Sequence, residues 1–386
     1  MNDEERLWLW LNYATEHNPR LFYAILQRFD DLDEAFAAAR QKAWDAFGEI
    51  GDNVKKRLLA ASEERFLDRY IGWMERNRIG ITTPASDDYP TLLNEIDDPP
   101  SVLFYKGTMH ADLPLPIAVV GTRNMTDYGK DVAKLLSRQI VEHDGTVVTG
   151  LAAGIDTAAA WGALDCVISE HPVIGVLPCG IDQMYPTGGA ELHEQIIERG
   201  GCILTELIPK TVPQKFLFPM RNRLLSGLSR GVLVVEAGER SGTSITVGHA
   251  HDQGREVFAV PGRITDLYSQ GTNRMIANGE AKAVANVQDI LSEFVEYSEA
   301  DGGMLNPNAA HVAFSKLSEL AQEIYMCLLQ GERSADELLD WIDDVTPSEI
   351  NTALTELQFL EVVKKLPGNL FAIDSIRAVV TFDEKQ

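Results

Sequence analysis

The chain has 386 residues, with 45% hydrophobic and 24% charged content, which is ordinary for a globular protein and long enough for two or three domains. No apolar run approaches the roughly 18 residues that span a bilayer, and Asp3, Glu4 and Glu5 make the N-terminus too acidic for a secretory signal, so a cytoplasmic protein without membrane contact is expected. The formal charge of -24 excludes a protein that coats nucleic acid nonspecifically, although it leaves room for a local basic pocket.

Residues 1–80 carry helical periodicity alone: Leu7, Trp8, Trp10 and Leu11, then Leu21, Phe22, Ile25, Leu26 and Phe29, then Leu58, Leu59, Phe66 and Ile71. That spacing predicts a small domain of amphipathic helices. Gly48-Glu49-Ile50-Gly51 faintly echoes a phosphate-gripping hairpin, and a plain helical turn is the preferred reading. Residues 81–296 form the predicted core. From Thr82 to Pro116 the chain is rich in Pro and Asp and leads into a sheet. Strands are expected near 117–120, 146–149, 173–177, 202–205, 232–235 and 257–260, with helical stretches between most of them. The alternation predicts an α/β fold built on a doubly wound parallel sheet. Residues 297–314 read as a polar linker. In 315–386, apolar spacing predicts helices through Leu317–Leu329, Asp336–Ile342 and Pro347–Phe359, followed by a hairpin with strands 361–364 and 370–373. This is a winged-helix pattern. Its third helix holds Glu349 and Glu356 and no Lys or Arg, so the module is expected to contact protein and not DNA.

Three strands end in small-residue turns that open helices: Ile117–Val120 into Gly121-Thr122-Arg123, Thr146–Thr149 into Gly150–Asp156, and Val232–Glu236 into Ala237–Ser244. An open α/β sheet places its ligand crevice at such strand ends, and the free amides of a helix N-terminus hold anions there. Most informative is the stretch from Phe216 to Gly262, which joins Arg221-Asn222-Arg223, an apolar strand and the turn Ser241-Gly242-Thr243. It reads as a site for phosphate-bearing molecules. Arg123, Lys215, Arg221, Arg223, Arg240, Arg255 and Arg263 all fall near this edge. Arginine forks hold phosphate bidentately, Lys215 supplies a mobile point charge, and Phe218 either packs beside Pro219 or offers a face to an unpaired base.

Catalytic patterns are missing. The sole Gly-Lys, Gly129-Lys130, is followed by Asp131, so there is no nucleotide-hydrolase loop, and Gly150 and Gly154 lack the third glycine of a dinucleotide fingerprint. His249 and His251, two apart in a helix, make a poor metal pair. Asp156 reads as a helix cap. Cys166, Cys179, Cys202 and Cys327 are scattered as reduced thiols are in a cytosolic core. No catalytic residue, metal or cofactor is expected.

The order of motifs from Asp87 to Ala281 resembles the DNA-processing protein A (DprA/Smf) family: Tyr89-Pro90, Asp98–Phe104, Lys106-Gly107, Val120–Arg123, Gly150-Leu151-Ala152, Gly154-Ile155-Asp156, Tyr185-Pro186, Phe218–Arg223, Val234–Ala237, Ser241-Gly242-Thr243 and Gly254–Gly262. The resemblance implies a Rossmann-like core, an N-terminal sterile-alpha-motif-like domain and a C-terminal winged helix. It also implies a non-enzymatic protein of natural transformation that binds single-stranded DNA, loads the RecA recombinase and dimerises through the core. Transferred by position, it puts DNA contacts on Arg123, Lys215, Phe218, Arg221, Asn222 and Arg223, with amides after Gly121 (at Thr122) and around Ser241, Gly242 and Thr243 adding phosphate contacts. Two departures are Ala153, where relatives commonly have Arg, and Ala160, where they have His; loss of that Arg removes a phosphate contact. The competing resemblance is to nucleoside-monophosphate phosphoribohydrolases, whose strand-turn-helix motif ends in a catalytic Glu. Here that position is Thr246, and a hydroxyl cannot transfer protons as a carboxylate does at neutral pH.

Overall fold

Residues 1–290 are organised around a nine-stranded sheet in the computed structural model. The structure describes the chain apart from residues 17, 168, 240, 295–309, 330–332, 343–344, 361, 367–368, 374–377 and 382–386. The strands are β1 (Gly80–Thr82), β2 (Leu103–Gly107), β3 (Pro116–Val120), β4 (Thr146–Thr149), β5 (Val173–Val176), β6 (Cys202–Thr205), β7 (Gly231–Val234), β8 (Glu256–Ala259) and β9 (Lys282–Ala283). Their order is β1-β2-β6-β5-β4-β3-β7-β8-β9. From β3 the chain winds through β4 and β5 to β6, then crosses back to place β7, β8 and β9 on the other side of β3. All pairs from β6 to β9 are parallel. The winding reverses between β3 and β7, which makes their carboxyl ends the switch point at which such sheets bind ligands.

Every residue of β3, β4, β5, β6 and β7 is buried, as expected for parallel strands covered on both faces. Ala118, Val120, Val148, Ile174, Val176, Val232 and Val234 belong to one core cluster. These strands lie within a residue of the positions their apolar runs predict. The sequence gives no such sign of β1 and β2. They form an antiparallel edge, β2 on β6 and β1 on β2, with β1 at the start of the Pro- and Asp-rich approach and β2 inside it.

Five helices precede the sheet: α1 (Asp3–Thr15), α2 (Pro19–Leu26), α3 (Leu32–Arg40), α4 (Asp52–Ala61) and α5 (Glu64–Arg76). They close over Leu9, Trp10, Leu11, Phe22, Ile25 and Leu58, all buried. The Trp10 indole donates to the Leu58 carbonyl and the Ser62 hydroxyl, both at 3.1 Å. Gly51 is the N-cap of α4, so the Gly48–Gly51 segment is a helix entry. The Asn12 side-chain amide donates to Ser101 Oγ at 3.0 Å, and helices and sheet together make one compact unit, Met1–Ile290.

The second unit, Leu291–Gln386, holds helices Glu319–Leu328, Ala335–Trp341 and Pro347–Phe359. A small antiparallel sheet has Leu370–Ile373 between Arg333–Ser334 and Val363–Leu366. Its core includes Ile324, Leu338, Ile350, Leu354 and Leu357. Most of the expected linker, and Pro367-Gly368 of the hairpin turn, lie outside the described residues. The acidic residues of the third helix have local work to do. Glu349 completes a capping box with Thr346, and Glu356 accepts from the Ser318 amide and hydroxyl at 2.9 and 2.6 Å.

Candidate nucleic-acid interface

Five more helices frame the strand ends: α6 (Asp127–Glu142), α7 (Ile155–Leu164), α8 (Ala190–Glu198), α9 (Leu217–Gly227) and α10 (Thr243–Asp252). Between the carboxyl ends of β3 and β7 lies a crevice of about 360 Å3, lined by Gly121, Thr122, Arg123, Asp156, Phe218, Arg221, Asn222, Ser241, Gly242, Thr243 and Thr246. The structure thus brings together nine of the eleven residues assigned from the sequence. Lys215 and Arg223 do not line it.

The turns are fixed from within. Glu236, buried after β7, accepts from the Thr126 amide at 3.0 Å and the Thr126 hydroxyl at 2.5 Å, which ties the turn after β7 to the one after β3. A Cβ at Gly129 would fall 2.2 Å from this carboxylate, so a side chain there would have to displace Glu236 from Thr126. Gly154 has φ +91°, and a Cβ on it would come 2.3 Å from the Thr122 carbonyl oxygen. That close approach sets α7 against the first turn.

The sequence expects backbone amides to contribute phosphate contacts, and the structure shows several of these already engaged. The Thr122 amide donates to the Glu236 carbonyl at 2.8 Å, and the Asn124 amide to Thr122 Oγ1 at 3.2 Å. At α10, the Thr243 amide donates to Ser241 Oγ at 3.2 Å, and the Ser244 and Ile245 amides close turns onto Ser241 and Gly242. Side chains are therefore the groups this crevice offers most freely.

Arg221 and Arg223 part company on α9. Arg221, 5% exposed, sits in the crevice floor and donates through Nη1 to the carbonyls of Gly150 and Val176 at the ends of β4 and β5. A side chain on Gly150 would collide with this guanidinium, its Cβ within 2.6 Å. Arg223, 6% exposed, points to the opposite side, where Nη2 meets Glu206 at 2.5 Å and Nε meets Asp98 at 3.3 Å. Burial pushes the Glu206 carboxyl up to about 6, against the opposing pull of Arg223. Arg223 is thus committed to an internal ion pair. Arg255 is held by Glu95 and the Leu92 carbonyl, and Arg240 lies outside the described residues.

At the mouth, exposed Arg123 rests over the ring of half-buried Phe218, its Cζ 4.8 Å from the centroid. Tyr185 packs edge-on against the same ring at 5.4 Å. Neither Tyr185 nor Glu236 is singled out as a site residue by sequence reasoning, although both stand inside motifs it identifies. Lys215 is exposed on the segment leading into α9. Asp156 lines the floor, its carboxyl raised to about 6 by burial and opposed by Arg221 and by the Ala152 and Gly121 amides.

Residues 80–295 match the family model described as DNA recombination-mediator protein A. The DNA processing protein DprA of Streptococcus pneumoniae is 44% identical over 263 residues, 64% of this chain and 90% of that protein. The corresponding Bacillus subtilis protein is 39% identical over 256 residues, 64% of this chain and 84% of its own length. Protein Smf of Synechocystis is 29% identical over 389 residues, covering 99% of this chain and 93% of its own. The X-ray structure of DNA processing protein A from S. pneumoniae superposes with a TM-score of 0.64 at 33% identity, over 76% of this chain and 99% of that one. The matched span contains every strand of the main sheet and the whole crevice, and by it the chain belongs to the DNA recombination-mediator protein A family, a family of DNA-processing proteins and not of phosphoribohydrolases.

Proposed function

We propose that the crevice binds single-stranded DNA, that the protein protects such strands and loads the RecA recombinase onto them in transformation and recombination, and that it acts in the cytoplasm as a homodimer through the sheet-bearing unit. The observation that carries the DNA-binding reading is the exposed guanidinium of Arg123 resting on the ring of Phe218 at the crevice mouth, in a chain of charge -24. An exposed cation–π contact contributes about 0.5–1 kcal/mol, whereas a hydrogen bond to a charged group contributes about 1.5–3 kcal/mol. A phosphodiester therefore draws Arg123 off the ring and leaves the face of Phe218 to an unpaired base. Arg221 supports the floor, Lys215 adds charge along the strand's approach, and Asn222 and the hydroxyls of Thr122, Ser241 and Thr243 offer further polar contacts.

Purified protein is expected to bind a short oligothymidine more tightly than a duplex of the same length, because a paired base cannot stack on Phe218. The check is a salt titration of both ligands side by side. Equal competition by duplex would sink the stacking pocket.

We read the helices and small sheet of the C-terminal unit as a winged helix that serves as a protein-contacting module. Removal of the chain after Asn306 is expected to leave oligothymidine affinity within about tenfold, roughly 1.4 kcal/mol, as the third helix brings no cation to a phosphate. A larger loss, with the remaining sheet still folded by circular dichroism, would make the module a DNA-binding element.

A further inference from the structure

The crevice floor holds a carboxylate for which the DNA-binding reading has no use. Asp156, on the first turn of α7 and 5% exposed, lies beside Arg123 and Arg221. Its carboxyl is held by the amides of Ala152 and Gly121, from the turns that follow β4 and β3. It sets a negative charge in an anion site. The charged and titratable groups that face it are Arg221 from α9, Arg123 from the turn after β3, and the Tyr185 phenol from the segment after β5. Two cations against one carboxylate leave about one positive charge for a ligand.

We infer that Asp156 weakens the crevice's hold on phosphomonoesters more than its hold on phosphodiesters. The inference rests on the DNA-binding reading and names the class of phosphate that the site accepts. A phosphodiester carries one negative charge, while a phosphomonoester carries close to two at pH 8. Coulomb repulsion scales with the product of the charges, so the carboxylate penalises the monoester about twice as strongly. With Thr246 in place of a catalytic Glu, this charge separates a strand-binding crevice from a mononucleotide pocket on the same scaffold.

The test uses the full chain at pH 8, with labelled unphosphorylated oligothymidine as probe and with unlabelled oligothymidine or thymidine 5′-monophosphate as competitor. Asp156→Asn keeps the shape and an acceptor oxygen for the amides but removes the charge. The monophosphate is expected to compete at least about tenfold better in the variant, and oligothymidine only about threefold better. Parallel changes in both overturn the inference alone. If the wild-type protein binds no oligothymidine, the DNA-binding reading fails and this inference with it.

A second measurement needs no variant. Burial holds the Asp156 carboxyl near 6, above its ordinary range, so it takes up a proton as pH falls through that value and the repulsion disappears. Guanidinium groups keep their charge throughout, and burial raises the Tyr185 phenol further from neutrality. Wild-type affinity for unphosphorylated oligothymidine, whose phosphodiesters do not titrate here, is expected to rise a few-fold from pH 8 to pH 5.5 at fixed salt. A flat or falling profile overturns the inference.

Discussion

Arg223→Ala is expected to lower the free energy of unfolding by roughly 3–5 kcal/mol, the usual consequence of removing one partner of a buried ion pair. Glu206 is 4% exposed, and its other neighbouring charge, Asp98, has the same sign. Without the guanidinium the Glu206 carboxylate is left uncompensated in the interior, and its folded-state pKa climbs above its present value of about 6. A carboxyl raised in the folded state gives stability at low pH and loses it as pH rises through the folded value. The deficit of the variant should therefore be large at pH 8 and smaller at pH 5. Urea unfolding at the two pH values measures it. Arg223→Met combined with Glu206→Leu should recover most of the loss, since an apolar pair of similar bulk avoids the desolvation cost. A single variant that loses less than about 1 kcal/mol at pH 8 would show that the pair does not fasten α9 to the end of β6. Oligothymidine affinity should change little, because Arg223 does not line the crevice.

That separation of Arg221 from Arg223 was open to sequence reasoning and shows where such reasoning stops short. Residues two apart on a helix are turned by about 200°, the same argument that parts His249 from His251. A cluster written Arg-Asn-Arg looks like one basic patch until α9 is drawn, and then a single arginine can face the strand ends. The parallel strands were legible because burial on both faces demands continuous apolar runs, such as Ile117–Val120 and Val232–Val235. Strands β1 and β2 were not. Lys106 and Gly107 close β2, and prolines crowd its approach, so its signal is that of a loop. The crevice was legible through its glycines and its position, whereas the contents of its floor were not. Glu236 accepts from the Thr126 amide, 110 residues away. Contacts of that range follow from topology and not from spacing.

Phe218→Ala is expected to weaken oligothymidine binding by roughly 1–3 kcal/mol, the usual worth of a base stacked on an aromatic ring. That corresponds to about fivefold to more than a hundredfold. Part of the loss is offset, because the variant no longer has to part Arg123 from the ring on which it rests at 4.8 Å. Arg123→Ala removes a phosphate contact as well, so it should lower the slope of log affinity against log salt by about 0.7. Phe218→Ala should leave that slope nearly unchanged, since it takes away no charge. Lys215→Ala should also lower the slope by about 0.7 and cost no stability, being exposed. The two crevice-mouth variants are not independent, because the ring and the guanidinium touch in the free protein and part on binding. Each single variant is spared the cost of parting them, so their combination should lose more than the sum of the single losses, with a coupling of roughly 0.5 kcal/mol or more. Phe218 also packs edge-on against Tyr185, so unfolding of each variant must be followed alongside binding. Losses that add fully, or a Phe218→Ala protein that is folded and binds as the wild type does, would show that the strand does not pass over this ring.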